Sequence, residues 1–370
     1  MSVRFLTAVS GRAFNMRDGF GREIDYMRIS VIDSCNLNCY YCNPCDNNEH
    51  CHALNILSVK EVLCIVRAAT RLGIKHFRLT GGEPLLHPQL DEMVLQIKKI
   101  PGVSSVSLTT NAVLLVQHAK WLKEAGIDSI NVSLDTIDAS EYERITKKPL
   151  LEEVKNGINA AIECGIRVKI NVVLTPQTDV VALTRYVAKK GTDIRFIEMM
   201  PVGEGHTNGV EPYKKVIGTL SKLYGEPCRI NTEKTKEINS GNDKRKIPDN
   251  GPAEYYIFPE LGIRVGLIQA IHGKFCDTCN RIRVTADGRL MPCLGSSVTM
   301  DLVPDSWDFA DDVEKDFAIV RALRAAIKAK PRCHNFNDNA VTYTKTTETK
   351  TTEIEAAEVN AARNMSRIGG

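Results

Sequence analysis

The stretch Val116-Gln-His-Ala-Lys-Trp-Leu-Lys-Glu-Ala-Gly126-Ile-Asp-Ser-Ile-Asn-Val-Ser-Leu-Asp135 holds a helix, a stop and a strand in succession. Residues 116–125 read as a helix, Gly126 is the expected stop, and 129–134 then alternates. Asn131, Ser133 and Asp135 fall on one face, Val132 and Leu134 on the other. The same unit recurs along the chain. Strands are predicted at 26–32, 75–80, 104–109, 129–134, 167–174 and 193–199, and helices at 59–72, 89–99, 116–125, 151–164 and 179–189. Gly73 and Gly165 follow helical runs as Gly126 does.

Six βα units in series imply parallel strands with right-handed crossovers, in a sheet either doubly wound or curved. A doubly wound sheet is covered on both faces, so its strands are almost continuously apolar. These strands instead carry a polar parity: Arg28 and Ser30; His76, Arg78 and Thr80; Lys169 and Asn171. Val106, Leu108, Val168, Ile170 and Val172 make up the opposite, apolar one. The expected fold is therefore α/β, a partial (β/α)6 TIM-like barrel around a polar cavity, with its site at the C-terminal strand ends.

The rhythm breaks after Pro201. The organisation predicted is an N-terminal segment (1–25), the barrel (26–202), a smaller C-terminal module closing the barrel mouth (203–337) and a flexible tail (338–370). Within the module, 231–251 reads as a polar loop and 313–328 as a helix. The tail is rich in Thr, Glu, Lys and Ala but ends in Met365-Ser-Arg-Ile-Gly-Gly370.

Hydrophobic residues make up 43% and charged residues 25%, with a formal net charge of +3. That balance suits a soluble globular enzyme and argues against a general nucleic-acid or membrane-surface binder, while allowing a local basic pocket. No run resembles a signal peptide or a bilayer span, so the expected compartment is the cytoplasm. In that reducing setting the 12 cysteines are expected to be metal ligands, catalytic groups or core fillers rather than disulfides.

Two cysteine groups stand out. Cys35-Asn-Leu-Asn-Cys39-Tyr-Tyr-Cys42 follows the first strand directly, where a barrel site belongs. Three thiolates reach three corners of a [4Fe–4S] cube and leave the fourth iron open to a small molecule. The competing reading is a closed zinc or iron–sulfur site completed by Cys45. The second group is Cys276, Cys279 and Cys293. By spacing alone, zinc with Cys228, Cys333 or His334 as fourth ligand fits as well as an iron–sulfur centre. Arg281 and Arg283 beside it favour an open cluster facing an anionic substrate.

The spacing of the first group, with Tyr41 inside it and Gly81-Gly82-Glu83-Pro84 after the second strand, resembles the radical S-adenosylmethionine superfamily. From about Gly21 to Gly370 the chain resembles one family within it, the MoaA family of GTP 3′,8-cyclases of molybdenum cofactor biosynthesis. Further landmarks are Leu108-Thr-Thr-Asn111, Arg195-Phe-Ile-Glu198, Gly251-Pro-Ala-Glu-Tyr-Tyr256 and Phe275-Cys-Asp-Thr-Cys-Asn-Arg-Ile-Arg283.

The resemblance implies two [4Fe–4S] clusters, one on Cys35, Cys39 and Cys42 with S-adenosylmethionine, one on Cys276, Cys279 and Cys293 with GTP. It implies Tyr41, Gly82, Ser133 and Met200 around S-adenosylmethionine, and Arg28, Arg78, Thr109 and Lys169 around GTP. Arg281 and Arg283 would flank the guanine, and Gly369 and Gly370 would reach into the active site. A 5′-deoxyadenosyl radical would take the ribose 3′ hydrogen, and the C3′ radical would attack C8. It implies also a flavodoxin- or ferredoxin-like electron donor and a downstream cyclic pyranopterin monophosphate synthase, and leaves room for a homodimer. Ala112 stands where the family commonly has glycine, and the 43–55 loop and the tail depart from it.

Two other readings compete: a two-cluster maturase acting on a peptide, and a non-catalytic zinc-stabilised binding protein. Cys45, Cys51, Cys64, Cys164, Cys228 and Cys333 have no partner by spacing. Cys64 and Cys164 read as core fillers, and His50, His52 and His87 as surface or loop residues. His76 shares the parity of Arg78 and is expected to border the site.

Overall fold

A computed structural model describes residues 16–42, 55–202, 210–230, 251–296, 298–302, 312–334 and 336. Six parallel strands run in chain order: β1 (Tyr26–Ser30), β2 (His76–Thr80), β3 (Ser105–Thr110), β4 (Ser129–Ser133), β5 (Val168–Val173) and β6 (Asp193–Ile197). The helices between them are α1 (Val59–Arg71), α2 (Leu90–Lys98), α3 (Leu115–Glu124), α4 (Ala139–Thr146), α5 (Leu151–Glu163) and α6 (Val180–Lys189). Three of these starts have a side-chain cap. Ser58 and Glu61 form a reciprocal capping box on α1, and Asp138 and Asp179 cap α4 and α6. Gly73, Gly126 and Gly165 adopt φ of 87°, 87° and 67°, the left-handed stops expected of them.

The alternation holds. Val106, Leu108, Val132, Val168, Ile170 and Val172 are buried on the outer face beneath the helices. Arg28, Arg78, Asn131, Lys169 and Asn171 face an interior cavity. The sequence reading missed α4, whose eight residues carry few apolar positions. His87 also departs from expectation. It is buried, with Nε2 against the Leu57 carbonyl at 2.9 Å, because the loop holding it folds under α1.

The C-terminal residues enter the same sheet. They supply α7 (Gly218–Tyr224), β7 (Cys228–Arg229), β8 (Glu254–Ile257), β9 (Arg264–Ile268), β10 (Arg281–Val284), β11 (Arg289–Met291), β12 (Met300–Asp301) and α8 (Asp312–Lys328). The order is β12-β11-β10-β1-β2-β3-β4-β5-β6-β9-β8-β7, with β10 parallel to β1 and β9 parallel to β6. The smaller module thus extends both edges of the parallel sheet. Outside, α8 packs on α1, joined by an Arg71–Asp316 ion pair at 2.7 Å. No helix among the described residues is long and apolar enough to cross a membrane.

One helix contact yields a prediction. Gly157 lies inside α5, and a Cβ there would sit 2.3 Å from the Ala112 carbonyl oxygen and 3.0 Å from Leu115 Cβ. Helix propensity favours alanine by about 1 kcal/mol, but forcing a methyl against backbone costs about 1–3 kcal/mol. Gly157→Ala is expected to lower the urea midpoint; an unchanged or raised midpoint would show that α3 and α5 separate freely. Ala112 itself holds φ 67°, which gives the family's glycine there a conformational reason.

Candidate active site

Both cysteine groups line one cavity of about 600 Å³. The first follows β1 and is held from two sides. The Asn38 and Tyr40 amides donate to the Thr146 and Ile145 carbonyls at the end of α4. On the other side Gly82 donates to the Ile32 carbonyl at 2.7 Å and Glu83 to the Ser34 carbonyl at 2.8 Å. A Cβ on Gly82 would lie 2.2 Å from the Ser34 oxygen, so the glycine turn is set by its approach to the cysteine loop. Glu83 is fully buried and accepts from Thr110 Oγ1 at 2.6 Å, the Asn111 amide at 2.7 Å and the Leu85 amide at 3.0 Å. Burial pushes its carboxyl up to about 7 against those three donors.

Tyr41 donates from its hydroxyl to Asp135 Oδ2 at 2.5 Å, while Asp135 Oδ1 accepts from the Val173 amide at 2.8 Å. A residue just beyond β4 thereby fixes the aromatic ring inside the cysteine loop. Burial raises the Asp135 carboxyl to about 6, offset in part by those two donors. Ser133 and Met200 line the same cavity as Gly82 and Tyr41.

The strands lining the cavity also carry basic side chains, and register groups them. Arg28 pairs with Arg78 of β2 on one side and Arg283 of β10 on the other, while Tyr26 pairs with His76 and Arg281. Arg78 donates to the Tyr26 hydroxyl at 2.5 Å, to the Leu108 carbonyl at 3.0 Å and to Thr109 Oγ1 at 3.5 Å. Burial alone would push the Tyr26 phenol up, but Arg78, Arg28 and Arg281 outweigh it and bring it to about 8. Burial, then the Arg281 charge, lowers Arg283 to about 10. Arg281 lies over the rings of Tyr26 and Phe275, at 5.9 and 5.7 Å from their centroids. His76 reaches Ser105 Oγ at 2.8 Å and borders the cavity as expected.

Sequence reasoning overlooked Arg195. It shares the inward parity, pairs in register with Asn171, and donates from Nε to Asn171 Oδ1 at 2.9 Å. Its Nη2 is buried without a partner, as is Asn131 Oδ1 across the sheet. The parity rule that found Arg28 and Lys169 could have found it. Glu198 was missed too. It is buried and accepts the Ile271 amide at 2.7 Å and the His272 amide at 3.1 Å, and it pairs with the His272 ring. It staples the end of β6 to the loop leading to the second cysteine group. Among the described residues eight Arg and Lys line the cavity against three Asp and Glu, a charge excess that suits a polyanionic ligand.

Cys276 to Thr278 make a single tight turn, with the Cys279 amide on the Cys276 carbonyl at 3.1 Å. Asn280 Nδ2 then donates to Asp25 at 2.7 Å, which locks β10 beside β1. Burial pushes the Cys35 thiol up to about 11 and raises Cys39 and Cys293. Burial also acts on Cys279, but Lys330 and Arg281 outweigh it and hold that thiol below its ordinary value. No three His, Cys, Asp or Glu among the described residues converge as ligands of one metal ion do. A tetrahedral zinc site needs that convergence, whereas a cubane takes each thiolate on a different iron and spreads them. Cys228 and Cys333 are exposed, and His334 Nε2 is engaged with the Ala270 carbonyl at 2.7 Å. Cys45, Cys51, Gly369 and Gly370 lie outside the described residues.

Two family profiles match the chain, Radical SAM superfamily over residues 29–182 and Molybdenum Cofactor Synthesis C over 192–336. The fold and the first cysteine group therefore define a radical S-adenosylmethionine enzyme, a class built on a [4Fe–4S] cluster and S-adenosylmethionine. The GTP 3′,8-cyclase of Clostridium perfringens (strain SM101 / Type A) is 35% identical over 324 residues, covering 87% of this chain and 95% of the relative. That of Pelotomaculum thermopropionicum is 36% identical over 327 residues, covering 86% and 95%. The chain belongs to the GTP 3′,8-cyclase family of molybdenum cofactor biosynthesis. Its fold is also similar to the crystal structure of Streptococcus suis SuiB, with a TM-score of 0.53 at 16% identity, covering 81% of this chain and 65% of that one.

Proposed function

We propose that this chain cyclises GTP in the cavity between its two cysteine groups, with the labour divided by position. The observation that carries the assignment is the shared cavity, lined by both groups of three cysteines and by eight cationic side chains. Cys35, Cys39 and Cys42 would hold the cluster that binds S-adenosylmethionine, and Cys276, Cys279 and Cys293 the one that meets guanine. A reduced cluster with S-adenosylmethionine supplies a radical able to take hydrogen from an unactivated ribose carbon, which no side chain can do.

The protein's own work is orientation. Asp135 fixes Tyr41, and the glycine turn presents Gly82, so that with Ser133 and Met200 they bound the S-adenosylmethionine end. Arg28, Arg78, Lys169 and Thr109 face the triphosphate, where charge-assisted hydrogen bonds in a dry site are strongest. Arg281 and Arg283, brought alongside by β10, flank the purine. Holding ribose C3′ and purine C8 in near contact converts the ring closure into an effectively unimolecular step. Gly369 and Gly370 would enter the cavity at the end of the 338–370 tail, since side-chain-free residues fit a crowded site. Residues 26–202 form the radical unit and 203–337 the module that closes it.

The setting follows from the same reading: cytoplasm, a flavodoxin- or ferredoxin-like reductant and a downstream cyclic pyranopterin monophosphate synthase. The test is anaerobic incubation with dithionite, S-adenosylmethionine and GTP. Expected are 5′-deoxyadenosine, a 3′,8-cyclised dihydro-nucleotide and about eight irons per chain. Bound zinc without iron, or deoxyadenosine formed only with a peptide, would overturn the proposal.

A further inference from the structure

The second cysteine group has a frame of its own that the GTP reading does not use. Lys330 follows α8 and is only 3% exposed. Its Nζ donates to the Arg281 carbonyl and to the Pro292 carbonyl, each at 2.8 Å. Arg281 stands two residues after Cys279, and Pro292 immediately precedes Cys293. One ammonium therefore ties together the two chain segments that carry the second and third thiols. An ammonium has three donors, and these two carbonyls take up two of them.

The first thiol is tied to the same turn. Arg22, itself 8% exposed, donates to the Cys276 carbonyl at 2.7 Å, the Arg332 carbonyl at 2.8 Å and the Pro331 carbonyl at 2.6 Å. Its Nε pairs with Asp18 at 2.5 Å. Residues 330–332 are thus linked to all three cysteine-bearing segments, to two directly through Lys330 and to the Cys276 segment through Arg22. A buried ammonium is costly unless its donors are met, and here two carbonyls accept from it.

We propose that Lys330 is a positioning residue for the second cluster: it fixes Cys279 against Cys293 and, as a buried positive charge beside Cys279, raises that cluster's reduction potential. The inference rests on the reading that this cysteine group ligates a cluster. Reduction adds an electron, so a neighbouring cation stabilises the reduced state more than the oxidised one. Hydrogen bonds to the ligating sulfurs act in the same direction.

The test is a potentiometric titration of the reconstituted full-length protein followed by electron paramagnetic resonance. GTP marks the signal of the second cluster and S-adenosylmethionine that of the first. Lys330→Met is expected to keep about eight irons and to move the GTP-responsive signal to lower potential by at least about 59 mV, a tenfold change in a one-electron equilibrium. Lys330→Arg should stay near wild type. Loss of only the second cluster in Lys330→Met, restored in Lys330→Arg, also supports the positioning role. Full iron with an unmoved potential overturns the proposal. If Lys330→Met loses both clusters, Lys330→Gln decides, because it keeps a donor without the charge. An unmoved potential in Lys330→Gln, or loss of both clusters there too, rejects the role. Wild-type protein with about four irons and no GTP-responsive signal would instead reject the second cluster itself.

Discussion

Cys35→Ala is expected to abolish S-adenosylmethionine cleavage, by three or more orders of magnitude, or about 4 kcal/mol and above in barrier terms. The size follows from the ligand count. A cubane has four irons, and under the proposed assignment three thiolates here would leave one for the cofactor; with two, the cluster falls apart or offers the wrong iron. The fold should survive, because Cys35 is only partly buried and lies in a loop anchored by backbone contacts. The Gly82 to Ile32 and Glu83 to Ser34 hydrogen bonds do not involve its sulfur. That sulfur receives only long contacts, from the Leu37 amide at 3.5 Å and Asn111 Nδ2 at 3.9 Å. The measurement is 5′-deoxyadenosine produced per chain under dithionite, with thermal unfolding as control. Wild-type cleavage in a folded Cys35→Ala protein would remove the first cysteine group from the mechanism.

Cys276→Ala is expected to separate two activities that the wild type couples. Cyclisation should fall to background, while some S-adenosylmethionine cleavage continues without product, and iron should drop from about eight to about four per chain. The two groups sit on different elements of one cavity: the first after β1, the second with Cys276 and Cys279 before β10 and Cys293 after β11. The Arg22 contact to residue 276 is to its carbonyl, so the frame around the turn remains after the thiol is lost. Under the proposed assignment the substrate would then be held by the triphosphate contacts alone, and misplacement by about 1 Å suffices to lose near-attack geometry. The ratio of cyclised nucleotide to deoxyadenosine reads the outcome. A ratio unchanged from wild type would show that guanine does not use this cluster.

Much of this site could be read without coordinates, because it rests on short-range signals. Cysteine spacing places thiols within a few residues of one another, and strand parity follows from the pleat, so Arg28, Arg78 and Lys169 were assigned inward from alternation alone. Arg195 obeyed the same rule and was passed over. Helix α4 escaped because its eight residues show too little apolar period, although its C-terminal carbonyls anchor the first cysteine loop. His87 was misread because nothing local shows that the loop carrying it folds under α1.

The sequence by itself determined the six-unit parallel core, the two cysteine groups and the polar face between them. Only the tertiary structure decided that β10 pairs with β1 in the register that sets Arg283 beside Arg28 and Arg281 beside Tyr26. It likewise brought Arg22 and Lys330, 308 residues apart by their numbering, onto the backbone around one cysteine group. The physical reason is range. Alternation and ligand spacing are written in neighbouring residues, whereas strand pairing and buried-cation contacts depend on which distant segments share the sheet, and no local pattern encodes that choice.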